Sequence, residues 1–125
     1  MEKTRKIGAF ITVVMFAGLV ARAGYAQDAE HGKSVFKACA VCHATDSANR
    51  VGPGLEGIIG RKAGAAADFR YSNAMKNSAI VWDAASLNAF LESPRKAVPG
   101  TKMAYGGLKD PTDRADLIGY LATLK

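Results

Sequence analysis

The sequence lacks the multiple disulfides that stabilise many small proteins with a small hydrophobic core. It has only two cysteines, Cys39 and Cys42, and a disulfide between them would close a tiny loop that joins no distant segments. Its longest apolar stretch, Ile7 to Val20, has 14 residues, fewer than the roughly 20 that cross a bilayer. No run of Lys and Arg with interleaved aromatic residues occurs, which argues against a nucleic-acid partner. Something other than a disulfide network must therefore supplement the core.

The N-terminal segment, residues 1–26, has the layout of a secretory signal peptide. Positive residues precede the apolar stretch, and small residues at its end suit cleavage by signal peptidase. We expect cleavage after Ala26, with Ala23 as the alternative site. A retained membrane anchor is the other interpretation, which the short apolar stretch disfavours. Export would place residues 27–125 in the periplasm as one domain, whose 13 Lys and Arg against 10 Asp and Glu give a net charge of +3.

The exported segment carries helix signals and no alternating strand pattern. A first helix is predicted over Ala29 to Ala40, and a short helix after Tyr71, where Ser72 is a suitable N-cap. A third follows the capping residue Asp83 and ends before Pro94, which cannot continue it.

The last helix has the strongest signals. Asp110 is a capping residue, Pro111 suits the first helical position, and apolar residues recur at helical spacing at Leu117, Tyr120, Leu121 and Leu124. Segments 44–70 and 93–109 are rich in turn residues and are predicted as long loops, which in a domain of this size normally serve a function. The predicted class is all-α, with three main helices, one short helix and long loops.

The sequence Cys39-Ala40-Val41-Cys42-His43 is the motif that points to chemistry. Its two thiols can add to the vinyl groups of a haem as thioethers, and the adjacent imidazole can bind the iron. A thioredoxin-like redox pair would be expected beside a βαβ pattern, which is missing here. A zinc half-site would need further ligands, and His31 is the only other histidine. One covalently attached haem is the favoured interpretation.

The second axial position of such a haem can be taken by a methionine, by a histidine or by no protein ligand. Two methionines follow the motif. Met75 lies in the predicted short helix. Met103 lies in the segment Pro99-Gly100-Thr101-Lys102-Met103, where a rigid proline and a permissive glycine could shape the loop so that the Met103 sulfur contacts the iron. Core filling is the alternative role for either methionine, and we favour it for Met75.

The chain resembles class I cytochrome c, most of all mitochondrial cytochrome c and its soluble bacterial relatives. The resemblance runs in order over nearly all of residues 27–125, and the residues that carry it are Val35-Phe36, Cys39 to His43, Gly52-Pro53, Gly60-Arg61-Lys62, Tyr71-Ser72, Trp82, Pro99 to Met103 and Asp116-Leu117-Ile118. It implies the class I cytochrome c fold, with the helices and long loops wrapped around one covalent haem c. It also implies that Met103 is the axial ligand opposite His43.

Further roles follow from the same resemblance. The Pro53 carbonyl is expected to accept a hydrogen bond from the free ring nitrogen of His43. The haem propionates are expected to be satisfied by Arg61, Tyr71, Trp82 and Thr101. The first and last helices are expected to cross at Gly32 and Phe36 on one side and Leu117 and Tyr120 on the other. Phe90 and Met75 depart from the mitochondrial pattern, which has a tyrosine and an asparagine there.

The function implied is electron transfer rather than enzymatic catalysis. The iron would cycle between Fe(III) and Fe(II), carrying electrons from a quinol-oxidising complex or dehydrogenase to a terminal oxidase, reductase or photosynthetic reaction centre. The alternatives are a dedicated haem subunit of a periplasmic dehydrogenase, and a haem enzyme or gas sensor with an open sixth position. We expect a monomer without stable membrane insertion that docks redox partner proteins at a basic rim formed by Lys37, Arg95, Lys96, Lys102 and Lys109.

Overall fold

A computed structural model describes residues 26–125, so residues 1–25 of the predicted signal peptide lie outside the described part of the chain. The described residues form five α-helices: α1 (Ala29–Phe36), α2 (Asn73–Lys76), α3 (Ala84–Glu92), α4 (Pro94–Ala97) and α5 (Pro111–Leu121). None of these helices has the length and apolar character needed to cross a membrane. The all-α class is confirmed for this part of the chain.

The helix starts lie where the capping residues predicted them. Ser72 accepts a hydrogen bond from the Met75 amide at 3.1 Å and begins α2. Asp83 begins α3 through a capping box with Ser86, and Asp110 begins α5 with Pro111 at its first position. These starts are local, because each cap satisfies amides only two or three residues away.

Two predicted boundaries are wrong. The first helix was expected to reach Ala40, but α1 ends at Phe36 and the chain then turns, with the Cys39 and Ala40 amides both donating to the Phe36 carbonyl, at 2.8 and 2.9 Å. The predicted irregular segment after Pro94 contains α4. Proline cannot continue α3, but it suits the first position of a new helix, and the extended backbone of Ser93 separates the two.

The crossing of α1 and α5 is the main helix contact and agrees with the prediction. A Cβ added at Gly32 would lie 2.0 Å from the Asp116 carbonyl oxygen, so only glycine permits this approach. The rings of Phe36 and Tyr120 pack beside it with centroids 5.3 Å apart. The crossing therefore places the end of α1, and the Cys39 to His43 turn that follows, against the core side of α5.

The segment between the motif and α2 is held by backbone pairing rather than by a strand. Lys62 and Val81 form an isolated antiparallel bridge, and the Trp82 amide donates to the Arg61 carbonyl at 2.9 Å. This pairing fixes Arg61 and Trp82 side by side although they are far apart in the chain. Trp82 is buried, and its ring meets Phe90 of α3 edge-on at 5.0 Å.

Candidate cofactor site

A cavity of about 610 Å³ lies between the two long loops and the inner faces of α1, α3 and α5. Its walls are mostly apolar side chains, such as Phe36, Leu55 and Phe90. The structure brings all nine predicted site residues to its surface: Cys39, Cys42, His43, Pro53, Arg61, Tyr71, Trp82, Thr101 and Met103. The sequence places these residues over more than 60 positions, so only the fold unites them.

The size of this cavity indicates that it is built for a large apolar group. Its wall is mainly apolar surface, which is stabilised by contact with an apolar group rather than with water. Its volume also lies in the range of cofactor pockets, roughly 300–1,000 Å³. A flat, largely apolar macrocycle with a metal at its centre fits both the space and the ligands around it.

Cys39 and Cys42 are both half-buried thiols at the cavity wall. Burial raises the pKa of the Cys39 thiol, and the neighbouring Cys42 raises it further. A catalytic dithiol needs the opposite, a thiol pKa lowered by positive surroundings. The environment of Cys39 therefore disfavours a thiol-disulfide oxidoreductase.

The ring of His43 is oriented by two neighbouring residues. Its Nδ1 lies 2.8 Å from the Pro53 carbonyl oxygen, and since a carbonyl can only accept, Nδ1 carries the proton. The lone pair therefore remains on Nε2, the nitrogen available to iron. Gly52 lies against the same ring, because a Cβ there would come within 2.4 Å of Cε1. Both contacts act on ring orientation.

Met103 and Met75 both line the cavity, but their surroundings differ. Met75 is buried within the hydrophobic core on α2. Met103 is only partly buried and lies in the loop between α4 and α5, where its amide donates to Thr101 Oγ1 at 3.3 Å. A sulfur on a loop can adjust to a metal more readily than one packed in a helix.

The four residues expected near the propionates also line the cavity, and the side chains of three of them, Arg61, Tyr71 and Thr101, form hydrogen bonds with backbone groups. Arg61 donates to the Gly54 carbonyl at 2.9 Å and to the Glu56 carbonyl at 3.1 Å, which uses two of its five N–H donors. The Tyr71 hydroxyl accepts from the Ala66 amide at 3.1 Å. The hydroxyl proton of Tyr71 is therefore still available to an anionic oxygen.

Two aromatic residues of the cavity wall were missed by the sequence reasoning. Phe69 packs edge-on against Tyr71 with ring centroids 4.8 Å apart. Tyr105 is half-buried at the wall, and burial raises its pKa. Tyr105 lies two residues after Met103, so its proximity to that candidate ligand was the available signal.

The five cations of the predicted rim are all exposed: Lys37, Arg95, Lys96, Lys102 and Lys109. Lys102 lines the cavity and donates to the Arg70 carbonyl at 2.8 Å. Arg95 lies at an adjoining surface pocket of about 400 Å³, which shares Ala104 and Tyr105 with the cavity wall. At least these two cations therefore lie beside the cavity.

Comparisons with known proteins agree on one family. The family model described as cytochrome c matches residues 29–125. Cytochrome c of Euglena viridis is 52% identical over 100 residues, which cover 78% of this chain and 98% of that protein. Cytochrome c2 of Rhodomicrobium vannielii is 49% identical over 100 residues, covering 78% and 80%. The solved structure of cytochrome cH from Methylobacterium extorquens superposes with a TM-score of 0.74 at 44% identity, covering 77% of this chain and 98% of that one.

Proposed function

The chain belongs to the cytochrome c family, and on that premise we propose its ligand set and its place in electron transfer. Membership means that it holds one covalent haem c and is an electron carrier rather than an enzyme. In this proposal Cys39 and Cys42 form the two thioethers, and His43 and Met103 are the axial ligands. Arg61, Tyr71, Trp82 and Thr101 satisfy the propionates.

The observation that carries the ligand set is the meeting of two distant segments on one cavity. His43 presents Nε2 from the motif side, with Nδ1 fixed on the Pro53 carbonyl. Met103 reaches the same cavity from the loop before α5. Two axial groups leave no open position on the metal, which disfavours a gas sensor or a haem enzyme.

The haem supplies a one-electron change at its iron when bound. The residues of this chain control the access of water, the reduction potential and the reorganisation that accompanies electron transfer. The apolar wall around Leu87, Phe90 and Leu91 excludes water. A thioether ligand favours the reduced state, so Met103 raises the potential. Pro53 holds the imidazole in one orientation throughout, which limits reorganisation.

We place the protein between a quinol-oxidising complex or dehydrogenase and a terminal oxidase, reductase or reaction centre. The layout of residues 1–26 supports export to the periplasm and cleavage after Ala26. The exposed Lys102 and Arg95 beside the cavity support docking of an acidic redox partner, and the proposed carrier is a monomer. Mass spectrometry of the purified protein tests the export step, and we expect a chain that begins at Gln27.

A pair of methionine variants tests the ligand set. In the ferric protein we expect a methionine-to-iron charge-transfer band that disappears in Met103→Ala, together with a fall in reduction potential. The matched control is Met75→Leu, which removes the other methionine sulfur at the cavity and should keep the band. If the band survives in Met103→Ala and is lost in Met75→Leu, the axial ligand is Met75 and not Met103.

A further inference from the structure

Arg114 is a buried cation outside the cavity wall. It lies on α5 with 6% of its surface exposed. Its Nε donates to Asn88 Oδ1 at 2.9 Å, and Nη1 donates to the carbonyls of Leu108 at 2.8 Å and Lys109 at 2.9 Å. All of these acceptors are neutral, and every ion pair within residues 26–125 involves His31. A buried charge without a counter-ion is costly, so its hydrogen bonds must be what retain it.

Two of those bonds end on the segment that carries Met103. Leu108 and Lys109 close the downstream side of the loop between α4 and α5. The Leu108 amide also donates to the Leu91 carbonyl at 2.7 Å, and Lys109 Nζ donates to the Glu92 carbonyl at 2.5 Å. We call these contacts, together with the two from Arg114, the clasp. It joins the loop to the end of α3 and to α5.

The upstream side of the loop is also held. The Thr101 amide donates to the Val98 carbonyl at 3.0 Å, and Lys102 Nζ donates to the Arg70 carbonyl at 2.8 Å. Between the two held ends the chain has no helix or strand, and Met103 lies within that span. The position of its sulfur is therefore governed by where the ends are fixed.

We propose that Arg114 is a positioning residue for the axial ligand Met103, acting through the clasp; this inference rests on the proposed ligand set. The guanidinium suits the role because its fork reaches Asn88 and both loop carbonyls at once. A lysine would keep the charge, but its single nitrogen cannot occupy the positions of both Nε and Nη1. Loosening the downstream end makes the sulfur easier to release from iron.

Imidazole binding to the ferric haem protein measures this directly, because imidazole must displace Met103. The variant is Arg114→Lys, which keeps the charge. We expect its imidazole affinity to rise at least about tenfold, the size of one lost charge-assisted hydrogen bond. The methionine-to-iron band should be lost at a lower imidazole concentration by the same factor.

A control on the same helix separates positioning from loss of stability. Ile118 is buried on α5, does not line the cavity and takes part in none of the hydrogen bonds of the clasp. Ile118→Val should lower stability and leave imidazole affinity unchanged. An equal rise in affinity in Ile118→Val would show a global effect and overturn the proposal. So would an unchanged affinity in Arg114→Lys.

Two further readouts keep the test decisive should Arg114→Lys fail to fold. Lys109→Ala removes the side-chain bond to the Glu92 carbonyl together with one positive charge, leaves the two bonds from Arg114 in place, and should also tighten imidazole binding. In the unaltered haem protein, the Leu108 amide should exchange with deuterium as slowly as amides inside α5; fast exchange would mean that the clasp is open. Absence of the methionine band in the unaltered protein would instead refute the ligand set itself.

Discussion

The imidazole of His43 is held by two residues about ten positions further along the chain. Pro53 accepts the Nδ1 proton at 2.8 Å, and Gly52 leaves room for the ring. These residues make no bond to a metal, yet they decide which nitrogen is free and where it points. At the scale of single residues, the imidazole of the proposed axial ligand is oriented by the peptide backbone that faces it.

Gly52→Ala should destabilise the protein. The added Cβ would lie 2.4 Å from His43 Cε1, so the ring must shift and weaken its bond to Pro53. We expect the free energy of unfolding to fall by about 1–3 kcal/mol, as in other overpacked sites. Urea titration of the haem protein measures it.

Gly106→Ala is the matched control for that change. A Cβ at Gly106 meets nothing within 4 Å, so its free energy of unfolding should stay within about 0.5 kcal/mol of the unaltered protein. Equal losses in the two variants would contradict the steric argument for Gly52.

At the scale of elements, the crossing of α1 and α5 decides where the haem-binding motif lies. The helices approach so closely at Gly32 that its missing side chain is a requirement of packing. Beside the crossing, His31 Nδ1 lies 2.8 Å from Asp116 Oδ2, and Asp116 Oδ1 accepts the Asp28 amide at 2.8 Å. One close steric contact and two polar contacts thus join the two ends of the domain.

Gly32→Ala should be costly although alanine is the better helix former by about 1 kcal/mol. The new Cβ would lie 2.0 Å from a backbone oxygen of α5, which cannot rotate away. We expect a net loss of at least about 2 kcal/mol in the free energy of unfolding. Ser34→Ala, on the exposed side of the same helix, should be neutral or slightly stabilising in the same urea titration.

The His31 contact predicts a pH dependence. The hydrogen bond to Asp116 raises the pKa of His31, helped by the charges of Asp113 and Asp28. The folded state therefore binds the proton more tightly, and this stabilisation is complete below the ordinary histidine pKa, about 6.5, and is lost as pH rises through the raised value. The Asp28 amide and His31 lower the pKa of Asp116, whose contribution is lost as pH falls below the usual carboxyl range.

The variant His31→Gln tests this dependence through the free energy of unfolding measured across pH. The difference from the unaltered protein should be largest between about pH 4 and 6.5 and should shrink on the alkaline side. A difference that grows above neutral pH would have the wrong sign for a raised histidine pKa.

At the scale of the whole molecule, two exposed cations lie on the same face as the cavity. Residues 27–125 have a net charge of only +3, so a steering effect must come from where the cations lie. Lys102 and Arg95 lie at the cavity wall and at the adjoining pocket. A small anionic oxidant should therefore approach the face that exchanges electrons.

Oxidation of the reduced protein by hexacyanoferrate(III) tests this. The rate should fall as ionic strength rises towards 0.1 M, where the screening length is about 10 Å. Lys96→Glu, in the predicted rim, should lower the rate severalfold at low salt, whereas Lys33→Glu on α1 makes the same charge change outside the rim and should lower it less. Equal effects would mean that net charge alone controls the reaction.

The sequence by itself determined the local features of this protein. Cys39, Cys42 and His43 all lie between positions 39 and 43. Each helix cap, at Ser72, Asp83 and Asp110, accepts hydrogen bonds from amides only two or three residues away. Such signals need no distant partner, so the motif, the helix starts and the all-α class could be predicted. The resemblance to class I cytochrome c extended the prediction to the residues that line the cavity.

Only the tertiary structure decided how distant segments meet. The end of α1 at Phe36 and the start of α4 at Pro94 depend on how the chain turns onto the core. The cavity positions of Phe69 and Tyr105, and the bonds of Arg114 to Leu108 and Lys109, depend on packing between elements. Such contacts leave no periodic signal in the sequence, because they join groups that become neighbours only when the whole chain folds.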